Sequence, residues 1–297
     1  MIRVNHLTKQ FDRFTALEDL CMHVPKGAIY GLVGPNGAGK STVIRHITGV
    51  FRPNSGEVLI DGQPAYENVA VKARYAYIPD DVFYFPASNL LEMAKFYAGM
   101  YPAFDMGLYR RLREAFALDE RMAIRRYSKG MQKQAAFLLS IAARPELMIL
   151  DEPVDGLDPV MRRQVWGLIM QDVAERCATV LVSSHNLREL EDVCDHVGIM
   201  HHGKMLLERT LSELQDNVVK VQVVFREETD LPQNLNVLHE SRSGRIRTLI
   251  VRGTQETVSR AMDGVNPIFY DLVPLTLEEV FVYELGGVDY DVKSILL

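Results

Sequence analysis

The sequence has little of what marks membrane-spanning, disulfide-rich or nucleic-acid-binding chains. Its longest apolar stretch, AAFLLSIAA, has nine residues, whereas a membrane span needs about 20. The three cysteines are scattered without metal or redox spacing, which predicts reduced thiols. The formal net charge of -6 does not favour nucleic acid as a partner. We therefore expect no membrane span in the chain, so a role at a membrane would need another chain to supply the spans.

The chain does have enough apolar sequence for a full core, since 47% of its 297 residues are hydrophobic. Buried-strand runs, namely AIYGLVG, LMIL and ATVLVSS, alternate with segments of helical periodicity. This alternation predicts an α/β fold with a parallel sheet covered by helices on both faces. Short alternating runs near the N-terminus predict further strands, and helical segments between Ser88 and Arg144 predict an inserted helical subdomain.

The pattern changes after about Asn217. Short strand-like runs such as VVKVQVVF and RIRTLIVRG are followed by two helical segments, TQETVSRAMDG and TLEEVFVYELG. We therefore expect a main domain over residues 1–217, with the helical subdomain at about 81–145. Residues 218–297 are expected to form a small C-terminal α+β accessory domain.

The segment GPNGAGKS fits the pattern G-x-x-x-x-G-K-[ST], with Gly34, Gly39, Lys40 and Ser41 at the fixed positions. Glycines allow successive backbone N–H groups to point at a phosphate without side-chain clashes, and the following helix adds its positive end. The lysine reaches the β- and γ-phosphates, and the serine hydroxyl ligates Mg²⁺. The segment follows a predicted strand and begins a predicted helix, which is the context that this pattern requires.

Two carboxylates follow the buried strand in LMILDEP, and ligands of open α/β sheets lie at the carboxyl ends of strands. We predict that Asp151 holds Mg²⁺, usually through water, and that Glu152 orients the attacking water. His185 ends the next strand, VLVSSH, and is predicted to reach the γ-phosphate from the same edge. The alternative for a histidine at such a position is a structural role.

A second segment, YSKGM, is typical of a phosphate-binding helix start, because it places a hydroxyl and a glycine N–H ahead of an apolar helix. It belongs to the helical insert, away from the strand ends, so we do not expect it to reach the nucleotide of its own chain. In a two-fold dimer it could face the partner's nucleotide. The alternative is that Ser128 simply caps the helix.

In this order the motifs resemble the ATP-binding cassette of ABC transporters, over about residues 1–215. GPNGAGKST is similar to the Walker A motif, LMILDEP to the Walker B motif with its catalytic glutamate, YSKGM to the signature, GLDP to the D-loop, and SSH to the switch histidine. The resemblance implies that ATP is contacted by Phe11, as the aromatic that stacks on adenine, and by Gly34, Pro35, Asn36, Gly37, Ala38, Gly39, Lys40, Ser41 and Thr42. It assigns Ser128, Lys129, Gly130 and Met131 to the signature and Asp158 to the D-loop.

The same resemblance implies a P-loop NTPase (RecA-like) core with an N-terminal antiparallel β subdomain, and ATP and Mg²⁺ as cofactors. Two cassettes, expected here as a homodimer, would enclose two ATP molecules, with Ser128 and Gly130 of one copy on the γ-phosphate bound by the other. Hydrolysis through Glu152 and His185 would drive transport by a separate multi-span permease. The chain would then lie at the cytoplasmic face of the plasma membrane, with no nucleic acid as a partner.

The sequence departs from the family pattern at two motifs. The usual signature is L-S-G-G-Q, whereas this chain has YSKGM. The usual glutamine at the end of YAYIPD, which approaches Mg²⁺, is replaced by Asp80. Asp80 is kept as a candidate Mg²⁺ ligand beside Ser41 and Asp151, and the alternative is an acidic turn after Pro79.

Two further segments bear on the partner. The aromatic segment VFYFP, residues 82–86, could form the groove that receives a coupling helix of the permease, or it could belong to the core of the helical insert. The C-terminal TLEEVFVYELG and the SKGM-type signature are similar to those of the type-2 ABC exporter group. That group moves antibiotics, peptides, lipids or polysaccharide precursors, and its substrate specificity lies mainly in the permease.

Two alternatives for the function stay open at this point. One is an ABC ATPase that acts on DNA or ribosomes, which the single Walker A motif, the lack of sustained heptads and the acidic balance disfavour. The other is a cassette whose ATP state regulates a sensor or a permease with little transport, and its motifs would look the same. No guanine-reading N-K-x-D occurs, which favours ATP over GTP.

Overall fold

The computed structural model of the chain describes residues 1–216, 218–225, 231–232, 235–273, 275–276 and 278–279. Their strands are β1 Ile2–Phe11, β2 Phe14–Val24, β3 Ile29–Val33, β4 Ser55–Ile60, β5 Gln63–Pro64, β6 Tyr75–Ile78, β7 Leu147–Asp151, β8 Thr179–Ser184, β9 His196–His201, β10 Lys204–Thr210, β11 Val218–Val224, β12 Asn236–Ser243, β13 Ile246–Arg252 and β14 Phe269–Val273. Their helices are α1 Lys40–Ile47, α2 Val69–Lys72, α3 Leu90–Met100, α4 Met106–Ala115, α5 Lys129–Ala142, α6 Pro159–Arg176, α7 Arg188–Glu191, α8 Leu211–Asp216 and α9 Gln255–Gly264.

A six-stranded sheet in the order β10-β9-β3-β8-β7-β6 forms the centre of the first of two compact units, which comprises residues 1–186 and 193–208. β3 pairs in parallel with β8 and β9, and β7 pairs in parallel with β6 and β8. Every residue of β3, β7 and β8 is buried. This burial explains why these strands are near-continuous apolar runs in the sequence, and the predicted parallel sheet is confirmed.

A second sheet of this unit is antiparallel and has the order β2-β1-β4-β5. Its residues Ile2, Leu20 and Ile60 belong to one buried cluster with Ile44 of α1 and Leu32 of β3. The core of the unit therefore contains side chains from both sheets and from the helix that follows the phosphate loop. The predicted α/β fold class with an N-terminal antiparallel part is confirmed.

Three helices, α3, α4 and α5, lie between β6 and β7, where the sequence predicts a helical insert. Asn89 begins α3 in a capping box with Glu92, Asp105 caps α4, and Ser128 caps α5. The helix start predicted at YSKGM is present, since Ser128 caps α5 and the helix begins at Lys129. Within the described ranges, no helix combines the length and the apolarity that a membrane crossing requires.

The second unit comprises residues 187–192 and the described residues from Arg209 onward. An antiparallel sheet in the order β12-β13-β11-β14 packs with α9 around buried side chains that include Val221, Leu249 and Met262. The helix predicted from TQETVSRAMDG is present as α9, whereas the segment TLEEVFVYELG lies largely outside the described residues. The segment NLRELEDVCD forms only the short α7, whose one buried residue, Leu190, gives no apolar face for a longer helix.

The close approach of β9 to β3 requires a glycine at position 198. Tyr30 of β3 is fully buried, and its hydroxyl donates to Glu208 Oε1 at 2.7 Å. A Cβ on Gly198 would lie 2.1 Å from that hydroxyl oxygen and 2.8 Å from Tyr30 Cζ. Because real Cβ atoms do not approach so closely, either Tyr30 or the backbone of β9 would have to move.

We therefore expect Gly198→Ala to lower the free energy of unfolding of the first unit by about 1–3 kcal/mol, as other overpacked cores do. Trp166, the single tryptophan, is buried on α6 in the same unit and reports the transition in urea by its fluorescence. Gly99→Ala is the control, because a Cβ on Gly99 meets nothing within 4 Å. Equal midpoints for Gly198→Ala and the wild type would contradict this packing argument.

Candidate functional site

Four neighbouring strands of the central sheet end at one edge. The order β3-β8-β7-β6 places the phosphate loop after β3 beside the ends of β8 and β7. In register, Val33 lies opposite Ser184 and Asp151 lies opposite Ser183. The edge therefore gathers the loop that follows Val33, His185 after β8 and Glu152 after β7, as the sequence predicts for a ligand site in an open sheet.

Glycines determine the path of the loop between β3 and α1. A Cβ on Gly34 would lie 2.3 Å from the carbonyl oxygen of Met200, and a Cβ on Gly39 would lie 2.9 Å from Leu17 Cδ2. Gly37 and Gly39 have φ of +81° and +107°, in the region that favours glycine. The pattern G-x-x-x-x-G-K-[ST] thus corresponds here to real steric requirements at its glycine positions.

Lys40 begins α1 and is buried, with 6% of its surface exposed. Its Nζ donates to the carbonyl oxygen of Gly34 at 2.7 Å and lies 3.3 Å from Glu152 Oε1. The ammonium is therefore held within the loop and carries positive charge to the site of a phosphate. The other predicted ATP-contacting residues of this segment lie in the same loop or in the first turn of α1: Pro35, Asn36, Ala38, Ser41 and Thr42.

Asp151 is 3% exposed and accepts hydrogen bonds from Ser183 Oγ at 2.6 Å and from Ser41 Oγ at 3.2 Å. Burial raises the pKa of Asp151, and the charges of Glu152 and Asp80 raise it further, whereas the two hydroxyls oppose the shift. A carboxylate and a hydroxyl that face each other supply the hard oxygen ligands that Mg²⁺ prefers. Ser41 and Asp151 therefore fit the predicted Mg²⁺ site.

Glu152 has φ +45°, a left-handed conformation that is uncommon outside glycine and clusters at functional sites. Its N–H donates to Ser183 Oγ at 3.1 Å. Its carboxylate lies 3.3 Å from Lys40 Nζ and 3.0 Å from His185 Nδ1, and it also accepts the His185 N–H at 3.3 Å. The structure thus brings the two predicted catalytic residues, Glu152 and His185, into direct contact.

The sequence patterns do not single out two residues that the structure adds to this edge. Ser183 is fully buried and bridges Asp151 and Glu152 through one hydroxyl. Asp155 places a carboxylate oxygen with the ligand atoms of Glu152 and His185, all within 4.8 Å of one another. The sequence feature that could have indicated Ser183 is its position at the end of a buried strand, two residues before His185.

Phe11 lies at the end of β1, and the residue is 40% exposed. Phe51 packs edge-on against it at 5.4 Å between ring centroids, and Lys9 Nζ lies over it at 5.1 Å. Phe51 thus supports the ring while part of its surface stays accessible. The partly exposed ring fits the predicted contact with adenine, since every base offers a face for stacking.

The predicted signature residues lie at the start of α5, where Ser128 is exposed and its Oγ accepts the Met131 N–H at 3.2 Å. A Cβ on Gly130 would lie 3.4 Å from the carbonyl oxygen of Gly156, so the helix start abuts the D-loop segment of the same chain. Asp158 of that segment caps α6. Lys129 is exposed. The capping role of Ser128 is present, and its exposure also leaves the hydroxyl accessible to a partner.

Asp80 follows β6, the fourth strand at this edge. Its side chain is 59% exposed, and its Oδ1 lies 3.5 Å from Nζ of Lys133 on α5. Its charge contributes to the raised pKa of Asp151. The structure therefore places Asp80 at the same edge of the sheet as the candidate Mg²⁺ ligands and pairs it with Lys133, a lysine that the sequence patterns do not single out.

Comparisons with known proteins identify one family. The family model described as ABC transporter matches residues 17–155. The ABC transporter ATP-binding protein YtrB of Bacillus subtilis (strain 168) is 31% identical over 290 residues, which cover 97% of this chain and 99% of the relative. The bacitracin transport ATP-binding protein BcrA of Bacillus licheniformis is 28% identical, with 97% and 98% covered. A solved ATP-binding subunit of an ABC transporter is 30% identical with a TM-score of 0.67, covering 72% of this chain and 92% of that one.

The chain belongs to the ATP-binding proteins of ABC transporters, because it aligns with YtrB over nearly the full length of both proteins. It is an ATP-binding subunit of this family and an ATPase. The predicted family and enzyme class are therefore confirmed.

The buried Asp151 carboxylate has a consequence for stability. We expect Asp151→Asn to stabilise the nucleotide-free chain, because the amide oxygen still accepts from Ser183 and Ser41 while the desolvated charge is removed. The pKa of Asp151 is raised in the folded state, so Asp151 ionises at a lower pH in the unfolded chain than in the folded one. Between these two pKa values, the wild type loses stability as the pH rises. The difference in the free energy of unfolding between Asp151→Asn and the wild type should thus increase with pH, from the ordinary carboxyl pKa up to the raised one.

Urea unfolding followed by Trp166 fluorescence at several pH values measures this difference between the two proteins. Added Mg²⁺ and ATP should stabilise the wild type and not the variant. A variant that is less stable than the wild type at every pH, without nucleotide, would contradict the proposed cost of burying Asp151.

Proposed function

We propose that this chain is the ATP-hydrolysing subunit of an exporter and that ATP joins two copies of it around two nucleotides. The observation that supports the proposal is that the candidate phosphate-binding groups of one chain lie in two separate places. Lys40, Asp151 and Glu152 meet at the edge of the central sheet, whereas Ser128 is an exposed residue at the start of another element, α5. One copy then supplies the phosphate loop and the carboxylates, and the other copy supplies the helix start.

Within one copy, the loop N–H groups and Lys40 bind the β- and γ-phosphates, and Ser41 and Asp151 hold Mg²⁺. Mg²⁺, when bound, neutralises charge on the phosphates. Lys40 Nζ lies 3.3 Å from Glu152 Oε1. A γ-phosphate that takes over the ammonium would leave the Glu152 carboxylate free for its catalytic role, so ATP itself would activate the base.

Glu152 accepts a hydrogen bond from the attacking water and orients it towards the γ-phosphate. The contact of His185 Nδ1 with the Glu152 carboxylate holds both side chains in place. In the imidazolium form, which carries a proton on each ring nitrogen, His185 donates from Nδ1 to Glu152 and from Nε2 to the γ-phosphate. Phe11 stacks on the adenine. Ser128 and Gly130 of the second copy donate to the same γ-phosphate from the positive end of α5, with Lys129 and Met131 beside them and Asp158 in the adjacent D-loop.

A separate membrane permease is proposed as the partner that converts dimer closure into transport. The supporting observation is a group of exposed apolar residues on α3 and in the segment before it, called here the apolar patch: Phe83, Phe85, Phe96 and Met100, which are 80%, 51%, 44% and 53% exposed. The rings of Phe85 and Phe96 pack edge-on at 5.2 Å. Such a grouped apolar surface marks a partner site. The exposure of Phe83 and Phe85 disfavours the alternative in which VFYFP is core.

A role in export of antibiotic-like cargo is supported by the name of the relative BcrA, a bacitracin transport protein. The chain would then work at the cytoplasmic face of the plasma membrane, bound through its permease. Residues 1–217 are proposed as the ATP-binding domain and residues 218–297 as an accessory domain.

Affinity purification of the full chain from its native membranes in mild detergent, with mass spectrometry, tests the permease assignment. The wild type should retain a stoichiometric multi-span protein. Phe83→Ser with Phe85→Ser should lose it, because the change removes the apolar contact. Phe14→Ser should keep it, because Phe14 is equally an exposed aromatic, at 66%, but lies on β2 outside the patch.

Recovery of ribosomal or DNA-bound proteins in place of a multi-span protein would contradict the transporter assignment. Equal recovery of the multi-span protein by the patch variant and the wild type would contradict the patch assignment alone.

A further inference from the structure

Lys133 is a buried cation in a position that none of the ATP-site motifs explains. It lies one turn into α5, and only 10% of its side chain is exposed. A lysine is almost never buried without a partner, because its charge loses the solvation of water. The groups that surround its ammonium therefore indicate its role.

Two groups of the candidate catalytic site surround the ammonium. Lys133 Nζ donates to the backbone carbonyl of Glu152 at 2.9 Å and lies 3.5 Å from Asp80 Oδ1. A cavity of about 290 Å³ beside them is lined in part by Asp80, Lys133, Asp155 and Gly156. One ammonium thus connects the signature helix, the residue after β7 and the turn after β6.

The contact with the Glu152 carbonyl bears on the conformation of the catalytic residue. Glu152 has φ +45°, which costs free energy in a residue with a side chain unless the surroundings hold it. Ser183 holds its N–H and Lys133 holds its C=O. The two contacts fix the backbone groups on both sides of the Cα, and so they fix the direction in which the carboxylate leaves the chain.

The contact with Asp80 affects the negative charge that the carboxylates place at the candidate ATP site. Asp80 and Glu152 both act on the carboxyl of Asp151, so negative groups accumulate where the nucleotide phosphates have to bind. Lys133, whose side chain is only 10% exposed, supplies a positive charge beside Asp80, whose side chain is 59% exposed and therefore partly screened by water. Without it, the negative charge of Asp80 would stand uncompensated next to the candidate Mg²⁺ ligands.

We propose that Lys133 is a positioning residue for hydrolysis, which holds the carbonyl of Glu152 and compensates the charge of Asp80. This proposal rests on the proposed catalytic role of Glu152. Because Lys133 belongs to the helix that begins at Ser128, a displacement of that helix moves the carbonyl of Glu152 as well. Asp80 is then primarily the ion-pair partner of Lys133 and is not required as a ligand of Mg²⁺.

Steady-state ATPase kinetics of the full-length chain with Mg²⁺ and ATP, beside equilibrium binding of ATP, test the proposal. Lys133→Met keeps the length of the side chain and removes the donor and the charge. Its kcat should fall about tenfold or more, because a buried hydrogen bond to a charged group is lost. The binding affinity for ATP should change less than about threefold, because Asp80 is 59% exposed and water screens most of its charge from the bound nucleotide.

Two rescues separate this role from a general loss of structure. Lys133→Arg keeps the charge and a donor and should recover most of kcat. Asp80→Asn added to Lys133→Met should recover about threefold or more of kcat, because it removes the uncompensated charge. Lys95→Met is the matched control, since Lys95 is an exposed lysine of α3, and its kcat should equal that of the wild type.

A kcat of Lys133→Met within about twofold of the wild type would overturn the proposal. So would a loss of kcat that neither Lys133→Arg nor the added Asp80→Asn recovers. Glu152→Gln, measured in parallel, distinguishes a failure of the proposed function from a failure of the proposed role of Lys133. Full turnover by Glu152→Gln would refute the proposed function, whereas an inactive Glu152→Gln beside an unaffected Lys133→Met would refute the role of Lys133 alone.

Discussion

The buried carboxylate of Asp151 is the constraint on which the rest of the site depends. It is nearly excluded from solvent at the end of a central strand, and burial raises its pKa. Hydroxyls from two other elements, Ser41 at the start of α1 and Ser183 on β8, are needed to satisfy it. The same hydrogen bonds that stabilise the carboxylate therefore align the phosphate loop with the ends of two neighbouring strands.

A second constraint follows from the first, because the chain leaves β7 through Glu152 in a left-handed turn. Ser183 serves both residues, accepting the Glu152 N–H and donating to Asp151. Two lysines then face the resulting negative charge, Lys40 from the phosphate loop and Lys133 from α5. In this account, nucleotide binding replaces one of these contacts, that of Lys40 with Glu152, and leaves the contact of Lys133 in place.

The sequence predicted the site best where the residue pattern of a strand and the position of its end in the sheet point to the same residues. A buried parallel strand needs a near-continuous apolar run, and the residues after such runs share one edge of the sheet, so Asp151, Glu152 and His185 could be predicted together. Gly34 and Gly39 could be predicted because neighbouring atoms approach the backbone of the phosphate loop too closely for any residue with a Cβ. The N-terminal strands and the helical insert were likewise predicted from their periodicity, whereas the antiparallel arrangement of those strands was implied by the family resemblance.

The contacts of Lys133 and Asp155 could not be predicted, because they depend on the distance between α5 and the turn after β7, which no local pattern encodes. The start of α5, in contrast, could be predicted from its polar cap. Apolar periodicity marks where a helix is buried, whereas the polar cap at Ser128 marks where it begins. The short α7 shows the converse, since a helical composition without an apolar face does not sustain a long helix.

The central claim is that the phosphate loop of one copy and the signature of another form one ATP site. Disulfide cross-linking tests it most directly, with Asn36→Cys in one preparation of the chain and Lys129→Cys in a second, both in the Glu152→Gln background. Both positions are exposed, and the exposed native Cys21 and Cys177 are replaced by serine in each. After mixing, the account predicts a covalent dimer that forms with ATP and Mg²⁺ and not without them. No cross-link with ATP, or equal cross-linking in its absence, would contradict it.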